Sequence, residues 1–159
     1  MATNTDILLQ KNDSKIYDIS ISSSGDFVKV QGFETAILMS LFGEVRANES
    51  EVRQPELRRG WIGNEHNDVE GYEVGSKLWL LFQSRAIQET LNRAIEFSQN
   101  GFQWMIDNNF AKEVNVDGTL LNANILLDID IIRIDNVTEN RQFMLWDDTD
   151  FDNIICPTN

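Results

Sequence analysis

Ile125-Leu126-Leu127-Asp128-Ile129-Asp130-Ile131-Ile132 is the stretch from which the fold can be read. Side chains alternate across a strand, so Ile125, Leu127, Ile129 and Ile131 share one face. The other face carries Asp128 and Asp130 together with Leu126, Ile132 and Ile134. That pattern predicts a long strand with one buried side and one mixed side. After it, residues 135–140 (Asp-Asn-Val-Thr-Glu-Asn) form a hairpin loop, and Arg141 to Trp146 supply the returning strand. Before it, Val114 and Val116 alternate with polar neighbours, and Asp117-Gly118 is expected to make a tight turn. The C-terminal third is therefore three strands.

Upstream the period changes. Between Gly75 and Asn108 the pattern is helical, with Ser76 placed to cap a first turn. Leu78-Trp79-Leu80-Leu81-Phe82 is apolar on every side, which predicts burial on every side. Ile87, Leu91, Ala94, Ile95, Ser98, Phe102, Met105 and Ile106 then follow one helix face. Phe97 and Trp104 make a second apolar line on that helix. Gly101 inside it costs about 1 kcal/mol relative to alanine, which points to a close neighbour. Asn108-Asn109 is its stop. A shorter helix spans Gly32 to Phe42, with Gly43 as its C-terminal cap. Residues 44–74 hold Pro55, Gly60, Gly63 and Gly71 and lack a period, so they are expected to form an ordered loop pinned by Trp61, with Tyr72 also packed. Near the start, residues 6–9 and 16–21 are two short strands joined by a polar turn at residues 11–14, and a loop follows at 22–26. The expected class is α+β: an antiparallel sheet formed by N- and C-terminal strands, with helices packed on one face. One domain is expected over residues 1–146, with an acidic tail at 147–159.

Composition narrows the function. The chain has 159 residues, enough apolar content for one core, and a net charge of −13 that repels phosphate backbones. Nucleic acid is thus an unfavourable partner. No run approaches the ~18 apolar residues of a membrane span, and Met1 to Gln10 lacks the pattern of a secretory signal. The single cysteine, Cys156, has no partner for a disulfide, zinc or redox motif, and fits folding in a reducing cytoplasm.

A search for catalysis finds no convergent groups. His66 is the only histidine and lies in a charged loop. Glu56, Glu65 and Glu73 are conceivable glycosidase carboxyls, but nothing selects a pair among so many acids. Residues 147–152 place carboxylates loosely as a calcium loop does, without its central glycine or its final glutamate. No phosphate-binding glycine loop exists, so no cofactor, metal or catalytic residue is assigned.

The remaining features suit protein contacts. Arg58-Arg59-Gly60-Trp61 sets two guanidinium groups beside an indole in an acidic chain, and these are the residue types enriched at binding hot spots. The arginines pairing with the chain's own carboxylates is the alternative, and the sequence leaves both open. Edges of a terminal sheet can accept a foreign strand. Partner contacts are accordingly expected at Arg58, Arg59, Trp61, Trp104, Lys112, Glu113, Arg141, Phe143, Leu145 and Trp146.

Three stretches carry a family likeness: Gly32-Phe33-Glu34-Thr35-Ala36-Ile37-Leu38-Met39-Ser40-Leu41-Phe42, Arg58-Arg59-Gly60-Trp61-Ile62-Gly63 and Gly75-Ser76-Lys77-Leu78-Trp79-Leu80-Leu81. Glu89-Thr90-Leu91 and Trp104-Met105-Ile106-Asp107 continue it. Together they resemble the Mu-like phage tail wedge family, relatives of the lysozyme-like wedge subunit, or sheath initiator, of contractile tails. The likeness covers roughly residues 5–146. It implies a fold similar to the handshake domain of the sheath subunit and a place in the tail baseplate, reached from the host cytoplasm. It further implies six copies around the tube, contacts with wedge scaffold proteins, and a first sheath ring that docks by adding strands. Tail tube or hub proteins are the remaining neighbours it allows. In the broader family a glutamate-proline-arginine motif follows the long helix and contacts the wedge core. Here that region reads Phe110-Ala111-Lys112-Glu113-Val114, with Lys112 and Glu113 as the substitutes, and Ile62 stands where some Mu-like members have a second tryptophan. A tail-associated cell-wall hydrolase and an acidic binding module outside the virion are the alternatives.

Overall fold

The computed structural model describes residues 5–11, 17–31, 33–66 and 73–145. The chain divides into two compact units, residues 1–39 and 40–159. Trp146, Tyr72, residues 12–14 of the expected turn and the tail with Cys156 lie outside the described residues.

The first unit is built from four three-residue strands: β1 (Thr5–Ile7), β2 (Leu9–Lys11), β3 (Tyr17–Ile19) and β4 (Lys29–Gln31). β1 pairs antiparallel with β4, β2 pairs antiparallel with β3, and Ile21 bridges Phe27 beyond β3. These three arms meet at a closed ring of backbone hydrogen bonds. Leu8 N–H donates to the Val28 carbonyl (2.9 Å), Val28 N–H to Ser20 (2.9 Å) and Ser20 N–H to Leu8 (3.0 Å). The ring satisfies the polar backbone at the point where the ladders change partner. The expected strand at residues 6–9 is divided: Leu9 pairs with Ile19 of the second stretch, Lys11 lies in strand rather than in the turn, and Thr5–Ile7 turns to β4 instead. β4 was not anticipated, because three residues of alternation in Val28-Lys29-Val30 are too few to register as a period.

Helix α1 (Glu34–Phe42) begins in this unit, where the Thr35 hydroxyl donates to the Ile7 carbonyl. It ends where the sequence predicts, but not on a left-handed glycine. Gly43 is absent from the residues of positive φ, whereas Gly75 has φ +115°. Gly43 and Gly75 are instead where two backbones cross. Ser76 N–H donates to the Gly43 carbonyl (2.8 Å), Val45 N–H to Ser76 (3.1 Å), and the Ser76 hydroxyl to Leu41 (2.5 Å). That hydroxyl also accepts Leu78 N–H (3.1 Å), although the capping position of the turn is Lys77, one residue after the expected Ser76.

Leu78–Leu81 is a 3-10 turn rather than the start of a long helix. Leu78 and Leu81 are buried, but Phe82 is 39% exposed, so the apolar run is covered on one side only. Helix α2 runs Gln88–Asp107 and buries Leu91, Ala94, Ser98, Phe102 and Met105. Ile87 precedes it and is exposed. Gly101 has the close neighbour expected of it: a Cβ there would lie 2.5 Å from the Ser40 carbonyl oxygen and 3.1 Å from that of Gly75. The helix stops on Asn109 at φ 58°, with Phe110 N–H donating to Met105 (2.8 Å) and Asn109 N–H to Ile106 (3.0 Å). This is a Schellman end with asparagine in the left-handed position. Its apolar clasp is the edge-on contact of Trp104 with Phe110, 5.6 Å between centroids.

β5 (Ala111–Leu121), β6 (Asn124–Arg133) and β7 (Thr138–Leu145) form an antiparallel sheet in that order. Ile125, Leu127, Ile129 and Ile131 are fully buried, as the alternation predicts. α2 packs on β5. Asp117-Gly118 does not turn the chain: it lies inside β5, opposite Leu127 and Asp128. A Cβ on Gly118 would sit 2.7 Å from Leu91 Cδ1, so this glycine makes room for α2. The turn falls at Asn122-Ala123, with Asn122 at φ 56°. The α+β class is as expected, but the sheet is divided. Among the described residues the N-terminal strands pair with one another, and the C-terminal three form their own sheet. The N-terminal strands take partners close by in the chain, which costs less loop-closure entropy than pairing with strands distant in sequence.

Candidate interaction site

Residues 44–66 are ordered by a set of short ties rather than by regular secondary structure. Ala47 N–H donates to Arg58 (3.0 Å) and Trp61 N–H to Glu44 (2.7 Å), so the two limbs of the loop pair. Ala47 is fully buried between them. The Arg58 Nε donates to the Ala47 carbonyl (2.6 Å), and its guanidinium lies 3.5 Å from Glu49. Arg59 pairs with Glu44 and stacks over Trp79, 5.1 Å from the ring centre. The Trp79 Nε1 in turn donates to Val45 (2.9 Å). Arg46 holds Glu65 at 2.8 Å, and the Asn64 side chain exchanges two hydrogen bonds with Val74 (3.0 and 2.9 Å).

Residues 44–66 of the expected loop are thus ordered, while 67–72 lie outside the described residues, and Trp61 is not what pins it. Trp61 is 44% exposed and lies across Gly63, where a Cβ would come 2.5 Å from the indole. The pins are Arg58, Arg59 and Trp79. The pairing of the arginines with the chain's own groups is therefore realised, while Arg59 remains half exposed. Trp79 was missed as a site residue because its place in an apolar run suggested burial, whereas its ring face and N–H hold the loop. The outward surface carries Trp61, Ile62 and Leu57. Arg59 at φ 47° and Gly60 at φ 118° place this element in left-handed backbone. Such strain, about 1–3 kcal/mol for a side-chain-bearing residue, concentrates at functional segments.

Between this loop and α2 lies a cleft of about 340 Å³, lined among others by Glu51, Glu73, Lys77, Glu96 and Phe97. Lys77 Nζ binds Glu51 at 2.8 Å. Burial pushes the Glu51 carboxyl up, but the Lys77 hydrogen bond, the Asn48 backbone N–H and the charges of Lys77 and Arg93 outweigh it, so it is held below its ordinary value. A depressed folded-state value means the tie contributes above the ordinary glutamate range and is lost as pH falls through the folded value. Glu51→Gln is accordingly expected to lower the thermal midpoint near neutral pH, and by progressively less as pH falls below the ordinary glutamate range, as followed by circular dichroism melts.

The carboxylates weighed for catalysis are scattered. Glu65 is held by Arg46, Glu56 is exposed in the 3-10 turn Pro55–Leu57, and only Glu73 of the three lines the cleft. His66 is exposed. Among the described residues no three His, Cys, Asp or Glu side chains are grouped to hold a metal. Asp128 is held by Asn140 (2.5 Å) and Gln142 (2.9 Å), and Asp130 by Asn140 (2.9 Å), across the open face of the sheet. The stretch 147–152 lies outside the described residues.

The remaining expected contact residues separate by burial. Lys112 is the extra residue of a β-bulge at the start of β5 and reaches Asn136 at 2.5 Å, and Glu113 is exposed opposite Ile132. Trp104 is half-buried, its Nε1 donating to Ser40 (2.8 Å). Arg141 binds the Asn140 carbonyl (2.8 Å). Phe143 and Leu145 are 3% exposed each, so β7 has backbone rather than these side chains to offer. Among the described residues β7 pairs only with β6.

The profile of a family described as "Phage protein GP46" matches residues 33–138. The chain belongs to this family of Mu-like phage proteins. It is 35% identical over 109 residues to the Mu-like prophage FluMu protein gp46 of Haemophilus influenzae, spanning 68% of this chain and 73% of that one. It is 30% identical over 93 residues to the baseplate protein gp46 of Escherichia phage Mu, spanning 57% of this chain and 62% of that one. The GP46 match takes in α1, the loop of Arg58-Arg59-Gly60-Trp61, α2, β5 and β6, and it stops at the first residue of β7. The resemblance to Mu-like tail proteins read from the sequence agrees with this membership.

Proposed function

We propose that this chain is a structural, non-enzymatic component of a phage tail baseplate, that it sits in the wedge, and that it starts the sheath by accepting strands along β7. The supporting observation is the edge of β7: eight residues, paired on one side among the described residues, in a sheet whose core is already complete. An edge of this kind has a row of backbone donors and acceptors that a foreign strand can satisfy. The name of the phage Mu relative supports the baseplate location. The outward Trp61, Ile62 and Leu57 are the surface through which the loop meets wedge scaffold proteins, with Lys112 and Glu113 at the bulge as a second contact.

The test is complementation of a phage that lacks the chain. Without it, particles are expected to carry tail tube but no sheath ring, as counted by electron microscopy. Trp61→Ala should leave the melting curve within about 1 kcal/mol of the natural protein and still reduce particle yield, because the indole is largely outside the core. Arg58→Ala should do the reverse and destabilise, since Arg58 holds the buried Ala47 strand of the loop. Sheathed tails in the absence of the chain would refute the proposal.

A further inference from the structure

The N-terminal unit carries a feature that neither the loop nor β7 uses. Its three arms bring Ile7 opposite Lys29, Leu9 opposite Ile19, and Ile21 opposite Phe27. Residues directly opposite share a face, and so do residues two apart on one strand. The pairs 7 and 9, 19 and 21, and 27 and 29 therefore join all six residues into one continuous face. On it Ile7, Ile19, Ile21 and Phe27 are 36%, 43%, 63% and 54% exposed. Single exposed apolar residues are ordinary, but four on one face of so small a unit are a patch.

Charge is segregated across the same unit. Asp18, Ser20, Ser22 and Asp26 fall on the opposite face by the same alternation, and both carboxylates are exposed there. On the apolar face the charged positions among the described residues are both basic: Lys11, two along from Leu9 on β2, and Lys29, which is exposed and makes no ion pair with them. A chain with 26 acidic residues thus keeps them off this surface among the described positions.

We propose that this face is a docking surface for another protein, whose complementary surface is apolar and carries a carboxylate set against Lys29. A lipid surface is disfavoured by charge. Two lysines contribute roughly 1 kcal/mol each of attraction to anionic lipid, against a molecule of net charge −13. The choice of readout rests on the baseplate reading, whereas the surface itself stands on the geometry of the arms.

The test uses the full chain in the phage that encodes it. Phe27→Ser, Ile21→Ser and Lys29→Glu are compared with Lys29→Arg, and copies per purified particle are counted by quantitative mass spectrometry. The first three should fall at least about tenfold, the loss of about 1.4 kcal/mol or more, and Lys29→Arg should keep incorporation. Melting curves should stay near that of the natural chain, because the altered side chains are mostly solvated. A photo-reactive residue at Phe27 should cross-link to another virion protein, and one at Ser22, on the far face, should not. Undiminished incorporation of all three variants would overturn the proposal. So would a Phe27 cross-link to a second copy of this chain, or Phe27-dependent binding of phosphatidylglycerol vesicles. Absence of even the natural chain from particles would instead sink the baseplate reading.

Discussion

Proline placed singly at each of Asn140, Arg141, Gln142 and Met144 is expected to split into two classes by position. In an antiparallel edge strand, alternate backbone N–H groups point to the neighbouring strand and to solvent. Where the N–H is bonded to β6, proline removes a ladder bond and should cost about 3 kcal/mol or more. Where the N–H faces outward, proline is tolerated by the fold, as it is on edge strands generally. That second class should keep the fold, losing at Asn140 and Gln142 only the side-chain bonds to Asp128 and Asp130, and yet fail to nucleate sheath, leaving tube-bearing particles without a first ring. Deleting Arg141 to Trp146 would be a poorer experiment, since it strips Phe143 and Leu145 from the core and the edge contact of Phe143 with Phe42. If outward-facing prolines assemble sheath normally, strand addition along β7 is wrong even if the chain is a baseplate protein.

Gly75→Ala is expected to be the most destabilising single-methyl change in the molecule. A Cβ at this position would fall within the Gly43 carbonyl group and 2.9 Å from its Cα, and the backbone sits at φ +115°, where side-chain-bearing residues are strained. Neither obstacle is a movable side-chain tip. Strain of ~1–3 kcal/mol and overpacking of ~1–3 kcal/mol combine to roughly 2–6 kcal/mol, a large share of the ~5–15 kcal/mol that holds a domain together. Gly118→Ala is the control. Its new methyl meets Leu91 Cδ1 at 2.7 Å, the far end of a flexible side chain, and should cost no more than about 1 kcal/mol. Urea titrations of the two variants give the comparison directly. Equal midpoints would mean that the crossing of Gly43 and Gly75 is looser than its geometry indicates.

Much of the larger unit was legible from residue order. The alternation through Ile125, Leu127, Ile129 and Ile131 announced a strand buried on one side, and all four are at 0% exposure. Asn108-Asn109 marked the end of α2, and Gly101 signalled a close neighbour before that neighbour was known to be the Ser40 carbonyl. These are local signals: a period, a stop and a missing side chain act within a few residues of chain. Arg58-Arg59-Gly60-Trp61 was legible as an unusual element, but its division of labour was not. Residue types alone could not say that Arg59 would find Glu44 and Trp79 while Trp61 lay outward on Gly63.

The sequence by itself determined that α2 is a helix, that β6 is a long strand, and which face of β6 is buried. Periodicity is summed along the chain and needs no partner to be known. Only the tertiary structure decided that Asp117-Gly118 stays in strand and that glycines at 75 and 101 admit neighbouring backbone. It alone also decided that the first strands close on themselves around Leu8, Ser20 and Val28. Each of those outcomes depends on what arrives from tens of residues away, because a glycine or a short strand is neutral until a distant segment fills the space or takes the hydrogen bond.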